Sequence, residues 1–212
     1  MMRKFHPPKL FLASQSPRRR ALLRSVGLDP IVLPADAEGD PEALEVALPN
    51  ESPRRYVHRV ATLKRDEALL RLRRLSGPAC PSDNDLIIAA DTTVALGMTI
   101  FGKPQSDQEA RRMLGELSGK THQVFTAVSI SRFNQSAMET IVVESQVTFA
   151  ELSSAWIRAY VASGEPRDKA GAYGIQGAAG SLIPKISGSY SGIMGMPLYE
   201  TLDLIRRLSQ HG

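Results

Sequence analysis

The chain has 212 residues, 42% of them hydrophobic and 23% charged. That is long enough to bury a core without disulfides or structural metal, and the balance argues against a disordered tail, a collagen-like rod or a membrane protein. Its 26 basic and 22 acidic residues give a net charge of +4 and a pI near 9.4, which favours polyanionic ligands but lies too close to neutrality to indicate nucleic-acid binding by itself.

The lone cysteine, Cys80, excludes an internal disulfide and has no His or Cys at zinc-site spacing. A reducing cytoplasm is therefore the expected location. Leu10 to Ala13 is too short for the core of a secretory signal, and no apolar run approaches the roughly 20 residues of a membrane span. Neither export nor membrane anchoring is expected.

Lys9 to Ala13 reads as a short buried strand. Ser14-Gln15-Ser16-Pro17 ends it and opens a helix, with Ser16 at the N-cap, Pro17 in the first turn and Gly27 as the stop. Residues 34 to 51 are acidic and proline-punctuated, carrying Asp36, Glu38, Asp40, Glu42 and Glu45 without periodicity, and read as a loop over a site. Ser52-Pro53 repeats the start signal for a helix to about Leu75, closed at Gly77-Pro78. Its apolar stripe takes in Val57, Val60, Ala61, Ala68, Leu72 and Leu75. Lys64, four residues from both Val60 and Ala68, shares that inward face.

Leu86 to Ala90 is a continuous apolar run typical of a central strand, with Asp91 read at its end. Val94 to Leu96 and Thr99 to Phe101 flank Gly97-Met98 as a hairpin. Ser106 and Glu109 form a capping box for a helix through Leu117, closed at Gly119. Two alternating segments follow, Val124, Thr126, Val128 and Ile130, then Ile141, Val143, Val147 and Phe149. They are predicted to pair antiparallel. Ser153 or Ser154 starts a helix ending at Gly164, and the last helix is amphipathic through Leu198, Leu202, Ile205 and Leu208. With no internal repeat or flexible linker, residues 1 to 212 read as one α/β unit of two lobes around a cleft.

The strongest local motif is Ser14-Gln15-Ser16-Pro17-Arg18-Arg19-Arg20, where hydroxyls, free helix N-terminal amides and guanidinium groups meet at a strand-to-helix junction. Arginines in a first turn oppose the helix dipole unless an anion joins them, so this reads as a phosphate pocket. The plainer alternative is an ordinarily capped helix with a solvated basic first turn. Asp91-Thr92 could hold a metal or activate water, or could merely cap a turn. Lys64 and Lys103 gain meaning only by converging with Arg18 and Asp91, since a snorkelling stem explains either one. Gln176, within Gly171 to Gly177, offers a donor and an acceptor to a base edge. His122 and the Met194/Met196 pair read as core or surface residues.

Gly115 to Thr121 imitates a Walker A loop but has three residues between its glycines where four are needed, and it follows a helix instead of a strand. No dinucleotide fingerprint, zincin motif or nucleophile elbow is present.

Taken in order, these motifs resemble the Maf-type nucleoside triphosphate pyrophosphatases. The resemblance rests on Leu12 to Arg19, on Tyr56-Val57 through Lys64, on Ala90-Asp91-Thr92 and Gly102-Lys103-Pro104, and on Leu117 to His122. Asp168 to Gly177, Gly188-Ser189-Tyr190 and Gly195-Met196-Pro197-Leu198 extend it over nearly the whole chain. The Ala172 to Gly177 wording resembles the dTTP/UTP branch more than the branch acting on 7-methyl-GTP.

The resemblance implies a mixed α/β fold with two lobes around a deep cleft, as in inosine triphosphatases. It implies a divalent cation, Mg2+ or Mn2+, and hydrolysis of dTTP and UTP, with modified pyrimidine nucleotides as further candidates, between the α and β phosphates. By position, Asp91 would activate water, and Ser14, Arg18, Arg19, Lys64 and Lys103 would hold the triphosphate. Arg18, Thr92 and Gln176 would govern substrate choice.

The metal would rest on Asp91 and Asp36, with Glu38 as the alternative to Asp36, because the family's paired acids appear here as Asp36-Ala37-Glu38. Ser191-Gly192-Ile193-Met194 departs from the bulkier residues common in the family. A homodimer is compatible by resemblance alone. The family's link to restraint of septum formation leaves a nucleotide-binding regulator as the competing role, and a nucleic-acid module is disfavoured by 6% aromatic content.

Overall fold

The computed structural model describes residues 8–33, 43–74 and 80–210. Its centre is a seven-stranded mixed sheet. Strands β1 (Leu10–Ala13) and β2 (Ile31–Val32) pair in parallel, and β1 also pairs in parallel with the long β3 (Leu86–Leu96). On the other side of β3 lie β5 (Thr121–Arg132), β6 (Met138–Thr148) and β7 (Lys185–Ser187), each antiparallel to the strand before it in that order. The short β4 (Thr99–Phe101) folds back on the end of β3 through Gly97-Met98, as the hairpin signal predicts.

Helices cover both faces of the first lobe. Helices α1 (Pro17–Ser25) and α6 (Leu198–Gln210) bury Leu23, Leu204 and Leu208 against Leu12, Ile88, Val128 and Ile130. On the opposite face, α2 (Pro53–Arg73) sets Val57, Val60 and Ala61 against Ala95, Phe125 and Ala127, and Leu69 and Leu72 against Phe11 and Ile87. In the second lobe, α3 (Asp107–Leu117) and α4 (Ser154–Ala162) pack Met113, Leu114, Leu117, Tyr160 and Val161 around Phe101, Phe149 and Tyr173. The short helix α5 (Tyr190–Ile193) leads into α6. Among the described residues no helix is long and apolar enough to cross a membrane.

Local signals account for most boundaries. Ser52, Ser106 and Ser153 each accept a backbone N–H of the third residue beyond. Glu109 completes its capping box one residue further out than the usual pattern, accepting from the Gln105 N–H at 2.8 Å. Gly27, Gly119 and Gly164 close helices with positive φ.

The differences from expectation are informative. Ser16 occupies the N-cap of α1, but its hydroxyl makes no capping bond, which leaves that helix end facing the cleft. Leu208 is buried and Leu198 and Ile205 pack partly buried against the same core, as expected, but Leu202 is 37% exposed and Thr201 and Leu204 take buried positions beside it. The expected helix stop at Gly77-Pro78 and the end of the stripe at Leu75 lie outside the described residues.

The chief correction concerns Asp91. Its strand does not end there, because β3 continues to Leu96. What ends is its neighbour: β1 pairs with β3 only as far as Ala89, and β4 takes up the same edge only from Val94. Residues 90 to 93 therefore have a partner on one side only, and side chains from both faces of β3 reach the opening.

Candidate functional site

That opening is the floor of a cleft of about 370 Å³ between the lobes. Lysine 64 enters from α2, which runs across the face that carries Asp91. Its Nζ donates to Asp91 Oδ1 and to Glu45 Oε1, each at 2.7 Å. Both carboxylates thus converge on one ammonium, and Asp91 is only 5% exposed. Lys103, just past β4, reaches the same Glu45 carboxylate at 3.3 Å. Burial pushes the Glu45 carboxyl upward, but the ammonium groups of Lys64 and Lys103 outweigh burial and hold it below its ordinary value.

Glu45 ends a short 3-10 turn, Ala43–Glu45, that α2 fixes in place. Tyr56 donates its hydroxyl to the Glu45 carbonyl at 2.8 Å, and Arg59 donates to the Val46 carbonyl at 2.9 Å. Arg59 also grips Glu51 bidentately, Nε to Oε1 at 2.7 Å and Nη2 to Oε2 at 2.6 Å. This clamp keeps an acidic turn next to the lysines.

Thr92 projects to the other face of β3, as adjacent strand residues must. There Arg19 lies across the N-terminal turn of α1, donating to Ser14 Oγ at 3.2 Å, Thr92 Oγ1 at 3.3 Å and the Gly195 carbonyl at 3.0 Å. Burial lowers the guanidinium's pKa while Asp91 and Glu45 oppose the shift, and arginine remains a cation under these conditions. Gly195, at φ +110°, brings its carbonyl to this guanidinium; a Cβ there would stand 3.5 Å from Arg19 Nε. Ser14 also accepts the Ser16 N–H at 3.2 Å, so its hydroxyl shapes the strand-to-helix turn.

Arg18 crosses the cleft to Asp168 at 3.1 Å, linking α1 to the turn Glu165–Asp168 of the second lobe. Gln176 lines the far end with Tyr173, Ile175, Ile193 and Met194. The structure thus brings together Ser14, Arg18, Arg19, Lys64, Asp91, Thr92, Lys103 and Gln176. Arg20 is exposed and does not line the cleft. Asp36 and Glu38, the expected second metal ligand and its alternative, lie outside the described residues; among the described residues no cluster of three or more metal-ligating side chains occurs.

Sequence reading missed Glu45 as a site residue, since nothing distinguishes it within an aperiodic acidic segment. It also missed Asp168, whose only signal was its place beside Lys169 ahead of the glycine-rich run. His122 is buried, as expected of a core residue, with Nε2 2.8 Å from the Tyr173 hydroxyl. Met196 is also core, whereas Met194 lines the cleft.

Residues 9–208 match the model of the family described as Maf-like protein. The dTTP/UTP pyrophosphatase of Albidiferax ferrireducens is 51% identical over 93% of this chain and 95% of its own. The dTTP/UTP pyrophosphatase of Cupriavidus pinatubonensis is 50% identical over 93% of this chain and 96% of its own. A nucleoside-triphosphatase / dITP/XTP pyrophosphatase of Mycobacterium abscessus, known by crystal structure, is similar at 13% identity and a TM-score of 0.41, over 69% of this chain and 76% of that one. A family match across nearly the whole chain, with relatives at half identity over the same span, makes this protein a member of the Maf-like family.

Proposed function

We propose that the protein hydrolyses dTTP and UTP between the α and β phosphates, releasing nucleoside monophosphate and pyrophosphate. The observation that carries this reading is a buried carboxylate, Asp91, at the floor of a cleft whose walls supply Lys64, Arg19, Arg18 and Lys103. Such a cleft neutralises a triphosphate while excluding bulk water, and it leaves one base to orient the attacking molecule. The names borne by relatives at half identity support the pyrimidine preference.

In this reading Asp91 accepts the proton of the attacking water, and Lys64 orients the carboxylate through its 2.7 Å hydrogen bond. Arg19, locked by Ser14, Thr92 and Gly195, presents its guanidinium to phosphate oxygens next to the free amides of α1. Arg18 and Lys103 give up Asp168 and Glu45 to take the remaining charge. Thr92, Arg18 and Gln176 govern the choice of base. Modified pyrimidine nucleotides are further substrates to test at the same end of the cleft.

Asp91 and Glu45, which here share the Lys64 ammonium, are hard oxygen donors suited to Mg2+ or Mn2+ where that ion pair opens. Asp91 and Glu45 would hold such a cation, with Asp36 or Glu38 as further candidates. When bound, the cation neutralises charge developing on phosphate oxygens. The residues above position the nucleotide and move the proton.

The test is product analysis with separate dTTP, UTP, CTP, GTP, ATP and 7-methyl-GTP in magnesium or manganese. Monophosphate plus pyrophosphate from dTTP and UTP alone is expected, whereas diphosphate plus orthophosphate would refute the cleavage site. Binding without turnover would instead favour a nucleotide-responsive regulator. The variant Asp91→Asn should retain nucleotide affinity and lose roughly 100- to 10,000-fold in kcat. Unchanged turnover would remove Asp91 from its role.

A further inference from the structure

The segment carrying Gln176 is not held by its own backbone alone. Its two flanks are tied to one pair of side chains in the second lobe. The Tyr160 hydroxyl accepts the Gly174 N–H at 3.3 Å and donates to Glu165 Oε1 at 3.0 Å. The other oxygen of that carboxylate, Oε2, accepts the Ala178 N–H at 3.3 Å. Gly174 and Ala178 stand two residues to either side of Gln176, so a single hydroxyl–carboxylate unit spans the turn.

The fit around this unit is close. A Cβ at Gly177 would fall 1.8 Å from Glu165 Oε1, and one at Gly174 would fall 2.9 Å from Lys169 Cε. Glycine at both positions therefore lets the carboxylate and the lysine stem lie against the turn backbone. Lys169 in turn donates to the Glu165 carbonyl. Behind Tyr160, the indole of Trp156 stacks on the phenol ring at 4.7 Å between centroids, fixing the ring on α4.

We propose that Tyr160 and Glu165 are positioning residues for base selection, bracing the 174–178 turn so that Gln176 keeps a fixed placement at the end of the cleft. The inference rests on the reading that Gln176 faces the base of a pyrimidine triphosphate. Neither Tyr160 nor Glu165 lines the cleft, so both act through the turn. Discrimination between bases that differ in one donor or acceptor depends on a hydrogen-bonding group held in place, since a mobile amide can satisfy either base edge.

The test compares kcat/KM and Kd for dTTP, UTP and CTP in the wild type, Tyr160→Phe, Glu165→Gln and Gln176→Ala. Phenylalanine keeps the ring and its stacking on Trp156 but removes the hydroxyl that joins Gly174 to Glu165. The UTP-to-CTP ratio, which isolates the base because both carry ribose, is expected to fall about tenfold in Tyr160→Phe, the scale of one hydrogen bond in which a partner is charged. Glu165→Gln, which retains one carbonyl acceptor, should lose less.

A merely structural role would lower the Tm or reduce all substrates alike, and an unchanged ratio in Tyr160→Phe overturns the proposal. Glu165→Gln decides the matter if the tyrosine variant does not fold, with an unchanged ratio again counting against the brace. If Gln176→Ala leaves the ratio intact, the base-reading assignment falls and the brace falls with it. If Gln176→Ala alone moves it, only the brace is wrong.

Discussion

His122 should make this protein acid-labile by an amount that follows from its surroundings. The imidazole has no exposed surface, and burial pushes its pKa from 6.5 down to about 4, opposed only by the nearby Lys120 backbone. A depressed histidine pKa means that the folded protein holds the neutral ring while the unfolded chain takes up a proton as pH falls. The associated stability is therefore fully present above about pH 6.5 and is lost progressively toward pH 4, below which the loss levels off. Linkage gives a loss of roughly 1–2 kcal/mol at about pH 5.5, roughly 2–3 kcal/mol at about pH 4.5 and roughly 3–4 kcal/mol at the limit.

Urea unfolding at about pH 7.5, 5.5 and 4.5 measures this, with each protein referred to its own value at the highest pH. In His122→Gln the group that titrates is gone, so its pH slope should be shallower than wild type by these amounts even if the variant is less stable throughout. Parallel slopes for the two proteins would show that His122 is not held neutral by burial. Because Nε2 meets the hydroxyl of Tyr173, which lines the cleft, protonation should also disturb that wall before global unfolding. Nucleotide affinity should fall only as pH approaches about 4, where the folded protein itself takes up the proton.

Glu45→Gln should act in opposite directions on two ligands. Without Mg2+ or Mn2+, inorganic pyrophosphate should bind severalfold more tightly, because Lys64 and Lys103 no longer face an internal carboxylate. Mn2+ affinity should fall roughly tenfold as one charged donor is lost; calorimetry reads the first and paramagnetic resonance the second, and an unchanged Mn2+ affinity removes Glu45 from the metal site. Gly171, at φ +68°, lies so close to Val94 that a Cβ would stand 2.9 Å from Cγ2. Gly171→Ala should cost about 2–4 kcal/mol in denaturant unfolding, while Gly97→Ala, at φ +63° with open space around it, should cost about 1–2 kcal/mol. Equal costs would show that the contact with Val94 relaxes freely.

Much of the architecture was legible because it depends on short-range periodicity. Lys64 could be identified as inward-facing from its spacing to Val60 and Ala68, since a helix repeats every 3.6 residues whatever it packs against. The serine caps, the Gly97-Met98 hairpin and the antiparallel pairing of β5 with β6 follow from rules of the same reach. The chain of motifs likewise carried the family resemblance and, with it, the residues that line the cleft.

What the sequence could not contain was the point at which β1 stops beside β3 and β4 begins. Asp91 read as the end of a strand because the apolar run ends there, yet the strand continues and its neighbour is what terminates. Register between strands distant in sequence is set by packing on both faces of the sheet. The same limit hid Glu45: six acids in an aperiodic stretch are equivalent until Tyr56 and Arg59 fix one turn against α2 and bring one carboxylate to Lys64. Local spacing therefore determined which residue types could serve, and only the tertiary fold decided which of them meet, because an ion pair between distant segments depends on the register and packing of everything between them.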